Sequence, residues 1–232
     1  MAVDLRDVPT VLLPGTGSDD DYVYRAFSPA LHAVGALAVP HAPQPGRLIA
    51  GYHDALAEAA AQGPIAVAGV SLGAAVAAAW AIAHPGTVVA VLAALPAWTG
   101  PPHDAPAAAA ARQTAHELRR DGLGATTARM QASSPAWLAA ELTRSWVGQW
   151  PDLPDAMDEA AAYVAPTGPQ LETLRAPLGV VSATDDPIHP LEVGVEWVAA
   201  APQAALQTVT LAQIGVDPAA LGAAALAALA EL

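Results

Sequence analysis

The sequence predicts an α/β fold: a mostly parallel central sheet flanked by helices, with a helical cap inserted partway along the chain. Three observations predict it. Short, almost wholly apolar runs alternate with helix-forming runs up to residue 98, as strands buried on both faces of a parallel sheet require. The alternation lapses between residues 100 and 168, where prolines cluster and no strand signal appears, and it returns from residue 176. The third is Gly69-Val70-Ser71-Leu72-Gly73, which sits where an apolar run turns into a helical one.

The elements follow in order. Residues 7–15 read as a short buried strand ended by Pro14-Gly15, and 35–43 read the same way. Between them, Tyr22, Ala26, Leu31 and Val34 carry a helical spacing entered through an acidic first turn. Residues 47–63 repeat Leu48, Ile49, Tyr52, Leu56 and Ala60 on one helical face, with Gly63 as the stop. Strand 64–71, helix 72–86 and strand 87–98 complete the first half. After the interruption come strand 176–187, helix 191–202, strand 205–215 and a closing helix 217–232. This division gives a core of residues 1–99 and 169–232 with a cap of 100–168, together one structural domain.

Composition excludes much chemistry. The 232 residues carry nine basic side chains, all arginine, against 22 acidic ones, and the net charge of −13 repels a nucleic-acid partner. The absence of Cys removes thiolate nucleophiles, disulfides and Cys-bound metals. The absence of Lys removes Schiff-base chemistry and a phosphate-loop lysine, and the absence of Asn leaves backbone N–H groups as the main donors to an oxyanion. No metal or organic cofactor is implied. Acidic residues stand near the N-terminus where a signal peptide would be basic, so a cytoplasmic location is expected. Residues 64–83 are uncharged and about long enough to span a bilayer, but they change character at Gly69, Ser71 and Gly73. A buried strand followed by a buried helix is the expectation, with no membrane span.

A serine between two glycines at a strand-to-helix junction is the pattern of a nucleophile held on a sharp turn, or else of a small-residue turn that packs a helix close to a sheet. A Cβ two residues to either side of such a turn would strike the neighbouring strand or helix. With seven serines and 18 glycines, chance supplies about 0.04 such motifs.

On these residues the chain resembles the α/β-hydrolase fold superfamily over nearly its whole length. The resemblance implies that Ser71 is a nucleophile and that the backbone N–H groups of Thr16, in Pro14-Gly15-Thr16-Gly17, and of Leu72 form an oxyanion hole. The segment Ser182-Ala183-Thr184-Asp185-Asp186-Pro187-Ile188-His189-Pro190 resembles the superfamily's acid loop; spacing to Pro190 selects Asp186, with Asp185 as the alternative. One departure concerns the base. The superfamily carries it after the last strand, commonly as Gly-His, and here that place reads Gly215-Val216-Asp217-Pro218, with no histidine beyond His189. His189 in the acid loop, His103 beside Asp104 at the cap entrance, and His41 at a strand end are the candidates to replace it; the alternative is that none stands as in a standard triad and the base is missing. His32, His53, His84 and His116 fall on helices or helix ends.

In the cap, Trp146 and Trp150 lie four apart on one helical face, with Trp137 near them. Together with Trp98 and His103 they are candidate walls of a substrate pocket, or else they pack cap on core. Arg112, Arg119, Arg120, Arg129 and Arg144 could steer an anionic acyl substrate or pair with surface acids. The expectation is an acyl hydrolase acting on a carboxylic ester, thioester or lactone. The alternative is a non-hydrolytic or catalytically degenerate protein of the same fold that binds a small apolar or acyl ligand. Oligomeric state is left open.

Overall fold

A computed structural model describes residues 3–103 and 105–232; Asp104, named above beside His103, lies outside them. The first half runs β1 (Pro9–Leu13), α1 (Asp20–Ala33), β2 (Leu37–Pro40), α2 (Leu48–Ala60), β3 (Ile65–Val70), α3 (Leu72–Ala83) and β4 (Val88–Ala94). The inserted helical region is α4 (Pro106–Ser133), α5 (Ala136–Gln149), α6 (Leu153–Ala162) and α7 (Gly168–Leu171), with α4 broken at Gly122. The second half runs β5 (Leu178–Ala183), α8 (Leu191–Ala200), β6 (Ala204–Val209), α9 (Leu211–Val216) and α10 (Ala219–Leu229).

The six strands form one sheet in the order β2-β1-β3-β4-β5-β6, and every neighbouring pair is parallel. Alternate residues feed two cores. Val11, Leu13 and Val67 face one side with Tyr52, Leu56 and α3, while Leu12, Ala66 and Ala68 face the other with Phe27, Leu31 and α10. Burial of each such Leu or Phe contributes roughly 1.5–3 kcal/mol. Small residues let the layers close up: a Cβ on Gly222 of α10 would come within 2.5 Å of the Ala26 carbonyl oxygen of α1.

The chain leaves β1 toward β2 on one side and returns to β3 on the other. The C-terminal ends of β1 and β3 therefore flank the point where the strand order reverses, the place at which open parallel sheets bind ligands. Ser71 follows β3 there, and the 14–17 turn follows β1.

One expectation is corrected. The strand placed at 205–215 ends at Val209, and Leu211–Val216 is helical. The reason is local: Thr210 accepts from the Gln213 N–H while the Gln213 side chain accepts from the Thr210 N–H, a capping box that starts a helix. The apolar stretch at 64–83 divides into β3, the Ser71 turn and α3, and no described helix is long and apolar enough to cross a membrane.

Candidate active site

Both glycines of the serine turn are demanded by contact with backbone. A Cβ on Gly69 would lie 2.3 Å from the Gly73 carbonyl carbon, and one on Gly73 would lie 2.1 Å from the Leu13 carbonyl oxygen. The turn brings Ser71 to φ 54° and ψ −113°, a left-handed backbone that a side chain rarely adopts, at an expense on the order of 1–3 kcal/mol. Two hydrogen bonds hold it there, Ser71 N–H to the Ala94 carbonyl at 2.8 Å and Ala75 N–H to the Ser71 carbonyl at 3.2 Å. The Ser71 side chain does not cap α3, so its hydroxyl is available to another partner.

That partner is His189. Its Nε2 is 3.0 Å from Ser71 Oγ and its Nδ1 is 2.7 Å from Asp186 Oδ2, although serine and histidine are 118 positions apart in the chain. The acid loop between β5 and α8 organises the pair by itself. Asp186 Oδ1 accepts from the backbone N–H groups of Ile188 and His189, at 2.8 and 3.3 Å, which leaves Oδ2 facing the ring. Burial raises the Asp186 carboxyl, but the hydrogen bond and charge of His189, with the two backbone donors, outweigh it and hold Asp186 below the usual carboxylate range. An ionised Asp186 keeps the proton on Nδ1, so Nε2 is an acceptor for the serine hydroxyl. Asp185, the alternative acid, points elsewhere: its Oδ1 accepts from the Leu211 N–H and caps α9.

The 14–17 turn lies against the serine. A Cβ on Gly15 would stand 3.2 Å from the Val70 carbonyl oxygen and 3.4 Å from Ser71 Cβ. Fully buried Tyr52 donates its hydroxyl to the Pro14 carbonyl at 3.0 Å and pins the turn from below. Neither the Thr16 nor the Leu72 N–H has a protein acceptor among the described residues, and Leu72 opens α3, where helix N–H groups are unpaired and the dipole favours negative charge.

Position 216 is no part of this cluster. Val216 is 89% exposed at the end of α9, and Gly215 is covered by Trp137, whose Cδ1 would be 2.3 Å from a Cβ there. None of the other histidines is hydrogen-bonded to Ser71 or Asp186 among the described residues. His103 is exposed, with its carbonyl accepting from Arg112. His41 sets its ring edge-on to Tyr52, and burial pushes its pKa down. His84 stacks on Trp80 at 3.9 Å.

The five candidate pocket residues meet different partners. Trp98 is buried and donates to the Tyr163 carbonyl, Trp137 covers Gly215, and Trp150 is 41% exposed at the end of α5. Trp146 is buried with its Nε1 over Gly17, and that nitrogen has no hydrogen-bond partner. Sequence reasoning passed over Tyr52 as a site-shaping group; only its burial and its hydrogen bond to Pro14 single it out.

Helix α5 forms a roof. Trp137 at its start sits on Gly215 of α9, after β6, while Gln149 at its end donates to the Ser18 carbonyl after β1. Twelve helical residues cover about 18 Å, and four strand spacings from β1 to β6 cover about 19 Å. Beneath this span Ser71 is 8% exposed. Ion pairs tie the roof to the core: Arg144 contacts Asp19, Asp21 and Glu141, and Arg25 joins Asp21 and Glu141. In α6, Glu159 accepts from the N–H groups of Leu48 and Ile49 at the start of α2. Arg119 and Arg129 are likewise occupied by acids, so Arg119, Arg129 and Arg144 are paired rather than free to steer an anion.

No protein-family model and no curated protein sequence matches the chain. Solved structures do. A hydrolase from Oleispira antarctica aligns with TM-score 0.70 at 14% identity, over 88% of this chain and 83% of its own. Rv0554 from Mycobacterium tuberculosis aligns with TM-score 0.70 at 19% identity, over 97% and 91%. The enol-lactonase of Burkholderia xenovorans LB400 aligns with TM-score 0.62 at 19% identity, over 89% and 83%. These likenesses establish the class: the chain has the α/β-hydrolase fold.

Proposed function

We propose that the protein is a serine hydrolase of acyl compounds, acting on a carboxylic ester, thioester or lactone. The observation that carries the reading is the chain of contacts from Ser71 Oγ through His189 to Asp186. Here His189, in the acid loop, supplies the base that position 216 lacks, so base and acid come from one four-residue segment. The enol-lactonase and hydrolase among the similar folds support the acyl class.

In the reaction, Ser71 Oγ adds to the acyl carbonyl carbon as its proton passes to His189 Nε2. The N–H groups of Thr16 and Leu72 receive the oxyanion, and α3 adds its dipole. Asp186 keeps the ring oriented and stabilises the imidazolium. When the tetrahedral adduct collapses, His189 returns the proton to the departing alcohol or thiol oxygen or sulfur. Water, deprotonated by the same nitrogen, then releases the acid and restores Ser71.

Fluorophosphonate labelling tests this. Wild type is expected to be labelled at one site, with labelling abolished in Ser71→Ala and slowed by about three orders of magnitude in His189→Ala. A wild-type protein that resists the probe at high concentration, in the presence of ester turnover by no substrate of the three classes, would favour the non-hydrolytic binder instead.

A further inference from the structure

Trp146 carries a buried polar group for which the fold provides no acceptor. Its side chain is 4% exposed, and Nε1 has no hydrogen-bond partner. An indole N–H is a donor only and cannot be satisfied by rotating, unlike a serine or threonine hydroxyl. Leaving such a donor unpaired is unfavourable, and in a native protein it calls for a reason. Its place supplies one. Nε1 would be 2.8 Å from a Cβ on Gly17, the residue after Thr16, so the indole stands beside the turn to which the proposed function assigns the oxyanion. Gly17 has φ +69° and no side chain, which lets the roof come down onto the turn at this point.

The neighbouring polar groups on α5 are already spoken for. Gln149 Nε2 donates to the Ser18 carbonyl and to Ser145 Oγ, and Arg144 is shared among three carboxylates. Those carboxylates, Asp19, Asp21 and Glu141, outnumber the two arginines, Arg25 and Arg144, that they meet. The cluster is net negative and leaves neither arginine unpaired, so it offers no free cation to a second anionic group on the substrate.

We propose that Trp146 is a specificity-determining residue whose indole N–H hydrogen-bonds an uncharged oxygen on the acyl portion of the substrate, selecting oxo- or alkoxyacyl esters and lactones over plain alkanoyl ones. This rests on the reading of Ser71 as the nucleophile, and it can be tested without turnover. Methyl 3-oxobutanoate and methyl butanoate differ by one carbonyl in place of a methylene. In a Ser71→Ala background, calorimetry is expected to show the oxo ester bound about three- to tenfold more tightly, the contribution of one neutral hydrogen bond. Adding Trp146→Phe should abolish that preference. Equal affinities in the Ser71→Ala protein, or a preference that survives Trp146→Phe, would overturn the proposal.

A second measurement needs no substitution at Trp146. In nitrogen-15-labelled Ser71→Ala protein, one of the six indole N–H signals should move downfield with the oxo ester and not with the alkanoyl ester; six unmoved signals would count against the proposal. Failure of the nucleophile reading has a different signature, absence of fluorophosphonate labelling in wild type, which neither binding experiment reads.

Discussion

Replacing Asp186 by Asn separates the proposed acid of the site from its neighbour Asp185. The two backbone N–H groups of Ile188 and His189 fix how the new amide sits: its oxygen must take the place of Oδ1, because an NH2 there would face two donors. The NH2 then occupies the place of Oδ2, 2.7 Å from His189 Nδ1. Facing a donor, Nδ1 becomes the acceptor and the ring proton moves to Nε2. That nitrogen, 3.0 Å from Ser71 Oγ, now donates where the proposed mechanism has it accept, so the loop keeps its shape while the proposed base is lost. The expected fall in kcat is about 10³–10⁴-fold, equivalent to about 4–5.5 kcal/mol of barrier. Asp185→Asn retains an oxygen to cap α9 at Leu211 and should leave kcat within about threefold, with a stability change of at most about 1 kcal/mol. The assay is hydrolysis of a short neutral p-nitrophenyl ester, with fluorophosphonate labelling rates and thermal unfolding measured on the same preparations. Near-wild-type turnover by folded Asp186→Asn, or an Asp185→Asn variant equally impaired, would refute the reasoning.

Other consequences follow from single contacts. Gly73→Ala drives a Cβ to 2.1 Å from the Leu13 carbonyl oxygen, so backbone must move. Overpacking of about 1–3 kcal/mol should lower Tm by about 2–12 °C in a thermal melt and slow labelling of Ser71. Val216→His puts an imidazole on a position 89% exposed, and turnover should stay within about twofold of wild type. Combined with His189→Ala it should restore nothing, and a regained rate would mean that position 216 of α9 still reaches the serine. The folded-state pKa of Asp186 lies below its ordinary value, so its ionised form contributes stability that is present above the ordinary aspartate range and is lost as pH falls through the depressed value. Denaturant unfolding should accordingly show the stability gap between wild type and Asp186→Asn narrowing as pH falls below the ordinary aspartate range.

The sequence by itself determined the parallel α/β architecture, the interruption by a helical region, and the position of Ser71. Each rests on short-range physics. Apolar runs of strand length, helical spacing and the steric demand at ±2 from a tight turn involve neighbours along the chain, and Gly69 and Gly73 meet in the fold the collisions that their lack of a side chain implies. The start of α9 was equally legible in Thr210-x-x-Gln213, but the apolar alternation of 204–209 runs straight into it, and a strand read from periodicity continues past its true end. Tertiary structure decided the rest. Whether His189, His103 or His41 faces Ser71 depends on β5 being two strands from β3 and on the direction in which a seven-residue connection leaves the sheet. The choice of Asp186 over Asp185 turns on which carboxylate the Ile188 and His189 N–H groups hold toward the ring and which is drawn away to α9. Adjacent residues in a turn point in different directions, and no pattern in a linear sequence records a direction. The same holds for Trp146: helical spacing puts it on a face of α5, but only the docking of that helix across the sheet leaves its N–H buried beside Gly17 without a partner.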